Sequence, residues 1–372
     1  MTGISAPALP ALEPLAFRDL RGWQDDDHEM ALAAFRRSCG EIISEGRAFA
    51  RPVIYGGNRE DWLVVCRRAE VSGAARAFFE REFQPFAVRD PARPEGLFTG
   101  YYEPEVQGSP VRSAGFSVPV YGRPGDLVAF SEEEQRATGL KYGRRLGGQP
   151  MAYFTRKEIE QGALAGQGLE IAWLSDWADA FFIHVQGSGR IRFADGGGLR
   201  LAFAAKSGRP YTSIGRLLVD RGILPEEALS MQALRRWMAA NPGAARELMW
   251  ENQSFIFFRK VEDGKPDLGA TGAQGVQLTP MRSLAVDRSH WIFGTPVWLE
   301  TEAPTGSGAQ LEPFRHLLIA QDTGTAIRGF ARTDVYWGWG ELAEQAAGHM
   351  QSPGRMVVLL PQAVASRIGA GP

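Results

Sequence analysis

The chain is poor in the residues that most often announce a site, since its 372 residues include only two cysteines and five histidines. Two cysteines cannot build the multi-bridge framework of a small secreted scaffold, and a chain of this length can bury a core without one. The histidines, His28, His184, His290, His316 and His349, show no His-Glu-x-x-His or His-x-His spacing, so no metal site is expected. There is no apolar run of membrane-spanning length, no internal repeat and no heptad pattern. The formal net charge is −2 with signs mixed and no run of five basic residues, which argues against a nucleic-acid partner. A Gly-x-Ser-x-Gly elbow and a Walker loop are also missing, and Gly187-Ser188-Gly189 lacks the strand-to-helix context of a dinucleotide site. Acyl transfer and phosphoryl transfer are thereby disfavoured, and no cofactor is expected.

What is present is ample material for packed cores, 44% hydrophobic with 10% aromatic, and a length that points to two domains. Residues 1–20 are rich in proline and alanine and read as a flexible tail. Apolar residues at three- and four-residue spacing then predict helices as far as Phe83. From Leu97 the texture turns to short strands punctuated by Gly and Pro. A capping box at Thr155-Arg-Lys-Glu158, a cap at Thr212 or Ser213, and a helical pair broken at Asn241-Pro-Gly243 interrupt it. Short apolar runs at 254–259, 292–300, 316–320 and 356–360 suit a small closed barrel.

The stretch from Ala320 to Gly340 holds two aspartates, Asp322 and Asp334, among glycines and the aromatics Tyr336, Trp337 and Trp339. Carboxyls can protonate a glycosidic oxygen, glycines admit a sugar close to the backbone, and flat rings can stack on pyranoses. The run Phe181–Phe193 alternates Phe181, Ile183 and Val185 before Gly187-Ser-Gly189 and predicts a hairpin. On it Gln186, Gly187 and Ser188 are candidate contacts to sugar hydroxyls or an N-acetyl group. Tyr101 and Tyr102 in Gly100-Tyr-Tyr-Glu-Pro104 are candidate stacking rings, and Glu103 is a candidate second carboxylate ranked below the aspartates. Asn252 and Ser254 are further contact candidates. Asp287, followed by Arg288, is open between substrate contact and a structural, turn-forming role.

Taken with Asp287, the two aspartates resemble the three-aspartate domain of the membrane-bound lytic murein transglycosylase A family. The segments Asn252-Gln-Ser-Phe-Ile-Phe-Phe258, Tyr211-Thr-Ser-Ile-Gly215, Phe182-Ile-His-Val-Gln-Gly-Ser-Gly189 and Gly100-Tyr-Tyr-Glu-Pro104 extend the resemblance over roughly residues 95–361. It implies a mainly β fold: a double-psi β-barrel built from N- and C-terminal segments (21–104 with its helices, plus 256–372), and a second β-rich domain inserted at 105–255, with a groove between them for a glycan. It also implies cleavage of the β-1,4 bond between N-acetylmuramic acid and N-acetylglucosamine of a peptidoglycan strand, giving 1,6-anhydromuramoyl ends. Asp334 matches the family's catalytic acid and base, while Asp322 is the candidate neighbouring anion or orienter. Tyr336 is a substrate contact in this reading. An inverting glycoside hydrolase and a non-catalytic, expansin-like wall-binding module remain alternatives.

The resemblance implies a periplasmic protein of the Gram-negative envelope, expected to be a monomer, with the glycan strand and other cell-wall enzymes as partners. Met1–Pro10 has no charged start, is broken by prolines, and is followed by no lipidated cysteine, so the expectation includes a trimmed or mis-started N-terminus. From the residues alone, Cys39 and Cys66 could be buried free thiols. The oxidising compartment that the resemblance implies favours a Cys39–Cys66 disulfide.

Overall fold

The computed structural model describes residues 11–90, 93–261, 267–304 and 310–369. The chain divides into two compact units: Met1–Tyr102 with Lys265–Pro372, and Glu103–Gly264. The first contains strands β1 (Ala11–Pro14), β2 (Phe83–Arg89), β3 (Gly96–Glu103, whose last residue opens the second unit), β4 (Ser283–Val286), β5 (Pro296–Pro304), β6 (Leu311–Asp322), β7 (Arg332–Trp339) and β8 (Gln351–Pro361). They hydrogen-bond in the order β1-β2-β8-β5-β6-β4-β7-β3, and β3 pairs again with β8, so β3 to β8 close into a six-stranded barrel. Closure leaves these six strands without an open edge. Strands β4 and β6 run parallel, which a hairpin cannot achieve and which requires the chain to cross over between them.

Helices α1 (His28–Ile43), α2 (Arg59–Val71) and α3 (Ala75–Glu82) pack on this barrel. Asp27 caps α1 by accepting from the Met30 amide, and Asn58 with Asp61 forms a reciprocal capping box on α2. Their apolar faces bury Phe35, Trp62, Phe78 and Phe79, together with Phe83 at the start of β2, against Trp298, Leu317 and Val357. Each such ring contributes about 1.5–3 kcal/mol by burial. Cys39 on α1 and Cys66 on α2 form a disulfide with Cα atoms 5.1 Å apart, as expected for the oxidised chain. Among the described residues no helix is long and apolar enough to cross a membrane.

The second unit holds a six-stranded sheet in the order Ile256–Val261, Gly198–Lys206, Ser188–Phe193, Glu105–Ser109, Glu170–Leu174, Val118–Tyr121, and a separate three-stranded sheet. A separate cluster of helical residues is centred on Phe181, Phe182, Leu218, Met238 and Leu248. Ser213 caps Ile214–Asp220, and Pro242 opens Pro242–Glu251 directly after the break at Asn241, both as the sequence indicated.

Three expectations are corrected. Residues 1–10 lie outside the described ones, but Ala11–Pro14, assigned to a flexible tail, is a strand paired antiparallel with β2. The apolar run 254–259 joins the inserted sheet rather than the barrel, because Ile256–Val261 pairs along Gly198–Lys206. Phe181–Phe193 is not a hairpin: Trp177–Gln186 is a helix, capped by the Asp176 side chain and ended by Gly187 at φ 75°, and only Ser188–Phe193 is a strand. The run Ala180-Phe-Phe-Ile-His184 is buried throughout, so its period-two alternation carried no information about which side faced solvent.

Candidate active site

The barrel brings Asp322 and Asp334 to the same place. Ala285 on β4 is the register partner of Asp322 on β6 and of Asp334 on β7, so the two aspartates flank one small residue on one face of the sheet. Their Cα atoms are thus about two strand spacings, or ~10 Å, apart. The match on the β6 side depends on a bulge. Leu284 pairs with Ala320 and Ala285 with Asp322, leaving Gln321 as the extra residue. Gln321 consequently turns to the opposite side and donates to the Ala34 carbonyl of α1.

Asp322 is surrounded by donors. Its Oδ1 accepts from the Ala273 amide at 2.8 Å and from its neighbour Thr323 at 2.9 Å, and its Oδ2 accepts from the Tyr101 hydroxyl at 2.9 Å. Asp334 is held differently. Thr99 donates its hydroxyl to Oδ1 while accepting from Arg332 Nη2 at 2.8 Å, and Oδ2 has no hydrogen-bond partner among the described residues. Burial raises the pKa of both carboxyls above the ordinary range; Asp334 repels Asp322 further upward, while Arg332 and Thr99 oppose the rise at Asp334. Two carboxyls that repel each other at this range titrate as a pair, and both are pushed upward.

The aromatic residues divide into support and surface. Tyr101 lies half-buried against Tyr336 with ring centroids 5.2 Å apart, and its phenol is driven well above its ordinary pKa by burial and then by Asp322. Tyr102 and Tyr336 are almost fully buried, so neither presents a free stacking face as the sequence suggested. Trp337 is also buried, donating to the Met350 sulfur. Its close approach to β3 requires Gly100, where a Cβ would stand 2.6 Å from the indole nitrogen. Trp339 alone of the three aromatics after Asp334 keeps a half-exposed position.

Asp287 is an organiser of loops. Its Oδ1 accepts from the Ser289 hydroxyl at 2.6 Å and amide at 3.0 Å, and its Oδ2 from the Gly329 amide at 2.9 Å. With 3% exposure it ties the turn after β4 to the loop before β7.

In the other unit, Glu103 is fully buried and clamped through Oε2 by Arg190 at 2.9 Å and Arg200 at 3.4 Å, while its Oε1 is buried with no hydrogen-bond partner among the described residues. Asn252 accepts the Thr212 and Ser254 amides through its side chain, and the carbonyls of Asn252 and Ser254 receive the guanidinium of Arg156. Both candidates therefore shape a buried hub around Arg156, which also meets Glu160 and His184. Gln186, Gly187 and Ser188 sit half-buried where the helix gives way to the strand, with polar groups at hand.

The sequence reading missed Thr99, Arg332 and the Ala273 amide. A period-two signal was available for the first two, since Thr99 and Tyr101 lie two apart on β3, as do Arg332 and Asp334 on β7. Nothing in the local sequence marks Ala273.

The chain matches the MltA specific insert domain over residues 97–259 and the 3D domain over residues 282–360. It is 37% identical to membrane-bound lytic murein transglycosylase A of Vibrio cholerae over 265 residues, 70% of this chain and 64% of that protein. The protein of the same name from Escherichia coli K12 is 35% identical over 277 residues, 74% of this chain and 68% of the relative. Among solved structures, a membrane-bound lytic murein transglycosylase from Agrobacterium tumefaciens superposes with a TM-score of 0.87 at 34% identity, covering 96% of this chain and 99% of that one. The E. coli MltA structure with bound chitohexaose gives 0.67 at 26% identity, covering 97% and 93%. With the barrel, the inserted sheet and both domain matches in agreement, the chain belongs to the MltA family of lytic murein transglycosylases.

Proposed function

We propose that the chain cleaves the β-1,4 bond between N-acetylmuramic acid and N-acetylglucosamine in peptidoglycan with Asp334 as the one proton donor and acceptor. The observation that carries this reading is the unequal solvation of the two aspartates. Two backbone amides and a tyrosine hydroxyl all donate to Asp322, a set that satisfies an anion. Asp334 has one donor and one uncommitted oxygen, as a proton-bearing carboxyl requires. In the forward step Asp334 gives its proton to the glycosidic oxygen as the bond from that oxygen to C1 breaks. The muramoyl 6-hydroxyl oxygen then bonds to C1, and its proton returns to Asp334. In this reading the three donors keep Asp322 ionised against the burial and the repulsion that raise it, and its charge favours retention of the proton on Asp334 and stabilises positive charge that develops at C1.

The occupied lone pairs of Asp322 weigh against the inverting hydrolase, which needs a second carboxylate free to activate water. Glu103 is a poor substitute because two arginines hold it. Half-exposed Gln186 and Ser188 are proposed as contacts to sugar hydroxyls, and glycan binding is supported by the chitohexaose found on the E. coli relative. The relatives are membrane-bound by name, and we assign this chain to the periplasmic side of the Gram-negative envelope. Mass spectrometry of fragments released from purified sacculi tests the reading. Anhydro ends are expected; new reducing ends would indicate hydrolysis, and absence of fragments would indicate a binding module.

A further inference from the structure

Behind the two aspartates, on the α1 side of β6, lies a fully buried polar cluster that the reaction does not use directly. Its members, Ser38, Gln274, Ser283 and Gln321, have no solvent exposure. Ser38 donates its hydroxyl to Gln274 Oε1 at 2.9 Å and accepts from Gln321 Nε2 at 2.9 Å. Gln274 Nε2 returns to the Ser38 carbonyl at 3.4 Å, and Ser283 donates to Gln321 Oε1 at 2.5 Å. Such a cluster is costly to bury unless every member is satisfied, and apolar residues would fill the same space at less risk.

The position of Gln274 explains what the cluster achieves. Its amide donates to the Gln321 carbonyl at 3.1 Å while its side chain reaches into α1, so the residue is fixed at both ends. Around it the chain makes a tight turn, with Gly275 at φ 102° and Gly272 so near β6 that a Cβ would lie 2.6 Å from the Gln321 carbonyl oxygen. The residue immediately before Gln274 is Ala273, whose amide meets Asp322 Oδ1 at 2.8 Å. The turn also closes on itself through the Gly272 amide on the Val276 carbonyl at 2.9 Å, and Arg47 donates to the Ala273 carbonyl at 3.2 Å; the Gln274 side chain adds the buried tie to α1.

We propose that Gln274 is a positioning residue: by locking the 272–275 turn to α1 and β6, it holds the Ala273 amide on Asp322 and so keeps Asp322 the ionised member of the pair. This rests on the functional reading above for its catalytic consequence but not for its structural one. The amide donates to the charged form, and its loss removes a force that opposes the effect of burial on Asp322.

The test uses the full chain with Gln274→Ala and Ser38→Ala, the second as the milder variant that keeps Gln274 but removes its donor. Carboxyl ¹³C titration of labelled aspartate, with Asp322→Asn to assign the signal, is followed beside the pH profile of fragment release from sacculi. In both variants the Asp322 midpoint is expected to move upward, by about one pH unit for Gln274→Ala, and the acid limb of the rate profile to move with it. A lower melting temperature with an unmoved Asp322 midpoint in both variants would reduce Gln274 to a packing residue and overturn the proposal. A moved midpoint with an unmoved acid limb would uphold the anchor and instead overturn the role given to Asp322 in the reaction.

Discussion

Asp322 and Asp334 face the same residue, Ala285, from the strands on its two sides. A larger residue at Ala285 would fill the space between the carboxyls, while a slip of one position on either strand would turn an aspartate to the opposite face. The closed barrel fixes both registers, which is how two residues twelve apart in sequence become an interacting pair.

Replacing Asp334 by Asn keeps its shape and removes its proton chemistry. Turnover of sacculi should fall by at least ~10³-fold, with the melting temperature little changed and chitohexaose binding retained. Asp322→Asn should be milder. Initial rates with both variants, beside a binding isotherm, check this, and an active Asp334→Asn protein would show that the wrong acid was chosen.

Thr99 tunes the acid. Its hydroxyl stabilises the charged form of Asp334, so Thr99→Val should raise the Asp334 pKa further. Because the protonated form is the active one, the alkaline limb of the pH–rate profile should move to higher pH. A limb displaced to lower pH would contradict the assignment.

For Asp287, burial pushes the carboxyl pKa up, but hydrogen bonds from Ser289 and Gly329 outweigh it and leave the group below its ordinary value. A carboxyl depressed in this way contributes stability that is full above its unfolded-state pKa and is lost as pH falls through the folded value. Asp287→Asn should therefore cost about 1–3 kcal/mol at pH 7. The gap to the wild type should narrow below about pH 4, as denaturant melts at a series of pH values would reveal.

The Cys39–Cys66 bridge closes a 27-residue separation between α1 and α2. Its removal by paired Cys→Ser changes should lower stability by about 3–4 kcal/mol on the loop-entropy estimate. Two thiols that label in the unreduced, denatured wild-type protein isolated from periplasm would show that the bridge does not form there.

How much of this was legible in the sequence varied with the range of the interaction. Caps such as Thr155 with Glu158, and the break at Asn241-Pro242, were readable because a side chain and the backbone it satisfies lie within a few residues. Asp322 and Asp334 stood out through their glycine and aromatic setting, but their common partner Ala285 is set by strand pairing that no local pattern specifies. The helix at Trp177–Gln186 was misread because Ala180–His184 is buried throughout, which erased the periodicity that distinguishes helix from strand. The roles of Glu103 and Asn252 emerged only with their partners, Arg190 at a distance of 87 residues in sequence and the Arg156 hub. Tyr336 looked like a sugar platform because an aromatic next to an aspartate has the same sequence signature whether its ring faces solvent or the core.

The central claim is that one carboxyl, Asp334, serves an intramolecular attack in which water has no part. Digestion of purified sacculi in ¹⁸O-labelled water, followed by mass spectrometry of the released ends, tests it most directly. The account predicts 1,6-anhydromuramoyl ends carrying no ¹⁸O at C1. Reducing ends with one ¹⁸O would contradict it, because they would show that water, and not the 6-hydroxyl, had attacked.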